Sequence, residues 1–127
     1  MNLLSFAAAL LPLLLCLGSP ARASSITLHA DAPIRPVEVS GGERLVYELH
    51  VDNTSDAAAE ITALDVLGHD EKPLLHLDEP ALRSRTSLKD GSKRIAPHAQ
   101  AVLYLTIDTG ARAPTSVRHR LTVKQHG

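Results

Sequence analysis

Histidine is the one chemically capable residue type in excess here: seven in 127 residues, against one cysteine. Four of them stand two positions before an acid, as His29/Asp31, His50/Asp52, His69/Glu71 and His76/Asp78. Along a β-strand, positions i and i+2 project from the same face, so each pair offers an imidazole and a carboxylate to one cation. A zinc ion takes three or four ligands in tetrahedral array, which no single pair supplies; two pairs would have to converge. Mixed nitrogen and oxygen donors do not single out zinc among the divalent metals. The plain expectation is that these pairs are solvated strand faces and loop residues, so no residue is assigned as a metal ligand, a cofactor contact or a catalytic group.

The remaining candidates are weaker. His119 alternates with apolar residues and has Arg118 and Arg120 as neighbours, without an acid or nucleophile nearby in sequence; the expectation is a core histidine bonded to a backbone carbonyl rather than a general base. Serine, histidine and aspartate are all plentiful, but no G-x-S-x-G elbow marks a nucleophile. Asn53-Thr54-Ser55 matches a glycosylation sequon and is read as turn chemistry, since the Ala- and Arg-rich character points to a bacterial chain.

The elements that must carry these residues are short and β-like. From Arg44 to Asp52, Leu45, Tyr47, Leu49 and Val51 alternate with Glu48, His50 and Asp52, the pattern of a half-buried strand. Asn53-Thr54-Ser55-Asp56 is a turn, and Glu60 to Leu67 is expected to be the partner of that strand, with a bulge or burial on both sides to reconcile Ile61 with the opposite phase of Leu64 and Val66. Leu74 to Leu77 is a short strand, and Pro80 to Ser87 a helical turn or loop. Asp90-Gly91 and Ala96-Pro97-His98 mark turns. Ala101 to Asp108 is a strongly apolar strand. Val117 to Lys124 places Val117, His119, Leu121 and Val123 opposite Arg118, Arg120, Thr122 and Lys124. Ile26 to Ala30 and Val37 to Val39 are shorter strands, with Pro33 and Pro36 suiting an edge or a sheet switch. Together they predict an all-β fold, an immunoglobulin-like antiparallel β-sandwich of about seven strands, with a small barrel as the other architecture. The cysteine and tryptophan core of true immunoglobulin domains is missing.

Residues 1–23 read as an export signal: an apolar run from Leu3 to Leu17, a Gly18-Ser19-Pro20 break and an Ala21-Arg22-Ala23 cleavage site. The run falls short of the roughly 20 residues that span a bilayer, and Leu15 before Cys16 does not suit lipidation, so no stable membrane insertion is expected. Cleavage leaves residues 24–127 as one β-sandwich domain, exported to the periplasm or the medium and free of thiols. Thirteen basic against 14 acidic residues carry no nucleic-acid footprint. With Phe6 in the leader, only Tyr47 and Tyr104 remain as aromatics, which disfavours stacking platforms for bases or sugars.

Four stretches, Leu45–Asn53, Ile61–Leu67, Ile95–Leu103 and Val117–Val123, carry a resemblance to the β-rich accessory domain that precedes the catalytic domain of bacterial lysostaphin-type zinc metallopeptidases, which cleave peptidoglycan. That family binds zinc through H-x-x-x-D and H-x-H pairs, and neither spacing occurs among the histidines here. The resemblance therefore implies a noncatalytic envelope module without a cofactor, which binds or positions a protein or cell-wall partner. A periplasmic chaperone or structural adhesion-type sandwich is the alternative. The front fragment of a zinc peptidase, or a metal-binding protein, comes after both.

Overall fold

The computed structural model describes residues 25–88 and 92–125. The expected export signal with its cleavage site and the expected Asp90-Gly91 turn lie outside these residues. The described residues are mostly β, with eight strands and one short α-helix, the strands arranged as two antiparallel four-stranded sheets.

The first sheet is built on β3 (Gly42–Asn53). Along one of its edges runs β7 (Gln100–Asp108), paired from Arg44↔Asp108 to Asp52↔Gln100. The other edge is shared by β1 (Ile26–His29), paired with residues 50–53, and β2 (Pro36–Val39), paired with residues 42–45. Between them, residues 30–35 run past only residues 46–49 of β3, so the longer stretch bows away and leaves a notch in the edge. Pro33 lies in the bow and Pro36 opens β2, positions where a missing N–H costs no ladder bond. Both flanking strands pair with β3, so the prolines mark an edge and not a switch between sheets.

The second sheet repeats the plan around β4 (Ala59–Leu67). The strand β8 (Arg118–Gln125) lies unbroken along one side, and β5 (Pro73–Leu77) and β6 (Arg94–Ile95) share the other. The helix α1 (Glu79–Arg83) intervenes between those two, capped by Asp78, whose carboxylate accepts the Ala81 N–H at 3.1 Å. Lys93, just before β6, ties α1 to β4 through Glu79 and Glu60, each at 2.7 Å. The β4 register slips against β8 between Ile61 and Ala63. This is the expected bulge, and it lets Ile61, Leu64 and Val66 all reach the core. The eighth strand, β6, has two residues and is too short to show a period.

One pairing differs from expectation. Strand β4 is not the hairpin partner of β3 but crosses to the other sheet. Both edges of β3 are already taken, and the crossing is pinned at its start by Asn53, which is 1% exposed. Its Nδ2 donates to the carbonyls of Ala57, Ile95 and Ala96 at 2.8, 3.2 and 3.1 Å, while its Oδ1 accepts from the Ser55 N–H and hydroxyl. A buried amide so fully bonded acts as a structural knot. The Asn53-Thr54-Ser55 segment thus serves as a turn.

The inner faces of the sheets meet in one core. Leu45, Leu49, Val51, Leu103, Leu105 and Ile107 come from the first sheet; Ile61, Leu64, Val66, Leu77 and Ile95 come from the second, joined by the buried Leu82 of α1. Burying each such side chain contributes about 1.5–3 kcal/mol. At the start of β3, Gly42 has φ +154°, and a Cβ there would lie 2.0 Å from the Gly110 carbonyl oxygen. Only glycine allows the loop after β7 to close on Glu43, whose N–H donates to that same carbonyl at 2.8 Å.

Candidate functional site

Since β1 and β3 are antiparallel with His29 directly opposite His50, two of the four His-x-acid pairs are brought face to face. Strand β3 turns Leu49 and Val51 inward, so Glu48, His50 and Asp52 project from the outer face, and β1 projects His29 beside them. The imidazoles stack with centroids 5.1 Å apart and planes 23° from parallel. Asp31, just beyond β1 in the bow, reaches back over both rings. Its Oδ1 lies 3.4 Å from His29 Nε2 and its Oδ2 lies 3.1 Å from His50 Nε2.

A second layer orients the rings. Gln100, the β7 neighbour of Asp52, donates from Nε2 to Asp52 Oδ1 at 2.6 Å. Because that carboxylate only accepts, the amide oxygen of Gln100 must face His50, and it lies 3.3 Å from His50 Nδ1. An amide oxygen cannot donate, so Nδ1 carries the proton of the neutral ring and Nε2 carries the lone pair. On the other side, His29 Nδ1 lies 3.2 Å from Asp52 Oδ2, which directs the His29 proton the same way. His50 is 12% exposed at its side chain, and its Nε2 is buried without a hydrogen-bond partner. Asp31 Oδ2, at 3.1 Å, makes an ion-pair contact with it and not a hydrogen bond. Among the described residues, the ligand atoms of His29, Asp31 and His50 form one group within 4.8 Å of one another, the set able to hold a metal ion. Beside it, the notch forms a shallow pocket of about 230 Å³, bordered by Asp31, Pro33, Val46, Tyr47, Glu48 and His50.

The other His-x-acid pairs do not assemble. His76 uses Asp65, its cross-strand partner on β4, at 2.6 Å, because Asp78 is occupied as the helix cap. His69 and Glu71 lie in an exposed 3-10 turn, where Glu71 takes Arg118 at 2.6 Å. His98, outside the pairs, meets Asp56 at 2.6 Å on the surface.

His119 corrects a further expectation. Its Nε2 meets the Tyr47 hydroxyl at 2.5 Å, across the two sheets, in place of a backbone carbonyl. Burial pushes the tyrosine up from its ordinary pKa and the histidine down from its own. Both shifts favour a neutral pair in which the hydroxyl donates to the imidazole. Among the described residues no nucleophile or carboxylate is bonded to this pair, and the contact joins the two sheets. The cluster on the outer face had a signal in sequence, the repeated H-x-D. The Tyr47–His119 contact had none beyond the inward phase of each residue.

Compared with family models, curated proteins and solved structures, the chain finds no match in any of the three.

Proposed function

We propose that this chain is an exported, noncatalytic module of the bacterial cell envelope that holds a partner by adding one of the partner's strands to the outer edge of β8. The observation that carries this reading is the state of the edges. The edge of β7 is covered, with Tyr104 N–H donating to the Arg85 carbonyl at 2.8 Å and Ser87 N–H to the Val102 carbonyl at 2.9 Å. Strand β8, eight residues long, has β4 on one side and no strand on the other among the described residues. It is the longest uncovered edge, since β1, β2, β5 and β6 have five residues or fewer. Such an edge offers a row of backbone donors and acceptors to an extended segment. Arg118, Arg120 and Lys124 along it discourage self-pairing and favour an acidic strand.

The two-sheet arrangement supports an immunoglobulin-like sandwich, and the likeness to the accessory domain of peptidoglycan peptidases supports a partner that is a protein or the cell wall itself. A photo-reactive side chain at Arg120 should crosslink one dominant envelope protein. The same group at Tyr104, on the outer face of the other sheet, should not. Equal labelling at both positions, or none at Arg120, overturns the edge reading, and peptidoglycan cleavage by the purified chain overturns the noncatalytic one.

A further inference from the structure

We infer that His29, Asp31 and His50 form a site for one divalent transition-metal ion on the outer face of the first sheet. The ligand spacing is the first support. Donors about 2.0–2.1 Å from a tetrahedral ion stand about 3.3 Å from one another; Asp31 Oδ1 lies 3.4 Å from His29 Nε2, its Oδ2 lies 3.1 Å from His50 Nε2, and one ligand atom from each of the three residues lies within 4.8 Å of the others. With each ring in the neutral tautomer that Gln100 and Asp52 favour, the carboxylate and the two imidazole nitrogens are acceptors facing acceptors, an arrangement that a shared cation relieves.

The orienting layer is the second support. Gln100 and Asp52 hold the Nδ1 atoms of both rings and leave both Nε2 atoms turned toward Asp31, the outer-shell pattern that fixes the tautomer of metal-ligating histidines. The third is the buried, unbonded Nε2 of His50, since a polar atom withdrawn from water without a partner costs stability unless something else binds it. Glu48, whose Oε2 lies 3.6 Å from that nitrogen, stands ready as a further donor. Two imidazoles with one or two carboxylates suit zinc, copper(II) or nickel(II), whereas magnesium and calcium take oxygen ligands.

The site is independent of the edge of β8 and belongs to none of the zinc spacings sought in the sequence. Its test is calorimetric titration of the tag-free protein, stripped by a chelator, with zinc(II) and copper(II), and with magnesium(II) as control. One equivalent of each transition metal should bind, copper the more tightly, with magnesium silent. His29→Ala, His50→Ala and Asp31→Asn should each weaken zinc by more than the roughly 10-fold expected for Gln100→Leu, which removes only an orienting group. His76→Ala should leave it unchanged. Copper(II) electron paramagnetic resonance should report two nitrogen ligands in the parent and one in either histidine variant. Circular dichroism on every variant separates loss of ligand from loss of fold. Sub-stoichiometric zinc, or binding that survives the His29→Ala/His50→Ala double change in a folded protein, overturns the site and leaves an ordinary surface ion pair.

Discussion

Tyr47 and His50 are three residues apart on β3 and face opposite ways, and the rings they meet show what each face does to an imidazole. Inside, Tyr47 reaches His119 of the other sheet in a half-buried setting without a charged partner, and both groups are held neutral by burial. Outside, His50 meets His29 of the neighbouring strand under a canopy of Asp31, Asp52 and Glu48. A strand offers the same residue type two chemistries. The inner face tunes it by desolvation and makes it a structural link; the outer face surrounds it with carboxylates and makes it a ligand.

The largest effect expected from this contrast is on the fold. Leu49→Asp, at a position 1% exposed, places a carboxylate among apolar side chains and should abolish cooperative unfolding, at a cost above about 4 kcal/mol. Its outward neighbour Glu48→Lys should stay within about 0.5 kcal/mol; urea melts that treat the two alike would mean that the faces are assigned in reverse. Next comes Asn53→Ala, which strips three carbonyls and Ser55 of their buried partner and should lower stability by about 2–4 kcal/mol. Tyr47→Phe should cost about 1–2 kcal/mol in the same assay, by removing the one donor to His119 Nε2.

The inner pair also predicts a pH dependence. The folded pKa of His119 lies below its unfolded value of about 6.5, so its contribution is fully present above that pH and is lost as pH falls from there through the folded value, where the unfolded chain binds the proton first. The raised pKa of Tyr47 acts in mirror image: its contribution is complete below about pH 10 and is lost as pH rises beyond. Melting temperature against pH, compared between the parent and His119→Phe, should show the acid-side slope shrink in the variant. The smallest effect is His29→Ala on the outer face, which should move metal-free stability by no more than about 0.5 kcal/mol, although the same change is expected to cripple metal binding.

Much of this contrast was legible in advance. Period-2 alternation is local, so Leu45, Leu49 and Val51 could be assigned inward and His50 and Asp52 outward from the order of residues alone, and the burial follows that assignment. The phase conflict of Ile61 with Leu64 and Val66 called for either a bulge or burial on both sides, and the register shift between Ile61 and Ala63 shows the bulge. Short elements were harder. Strand β6 has too few residues for a period, and its place beside Ala59 and Glu60 goes with the burial of Ile95 and the Lys93 contacts to Glu60 and Glu79.

Thus the residues in order determined which side chains share a face within a strand and where most turns fall, because these depend on backbone geometry over two to four residues. The fold alone decided which faces meet. Strand β4 crossed to the second sheet since both edges of β3 were filled, Tyr47 found a partner 72 positions away, and His29 came opposite His50 rather than one residue to either side. A slip of one residue in that register would have turned one of the histidines to the other face. Register and sheet choice are set by the combined burial of many distant side chains, so neither the metal cluster nor the intersheet link can be read from any local stretch of the chain.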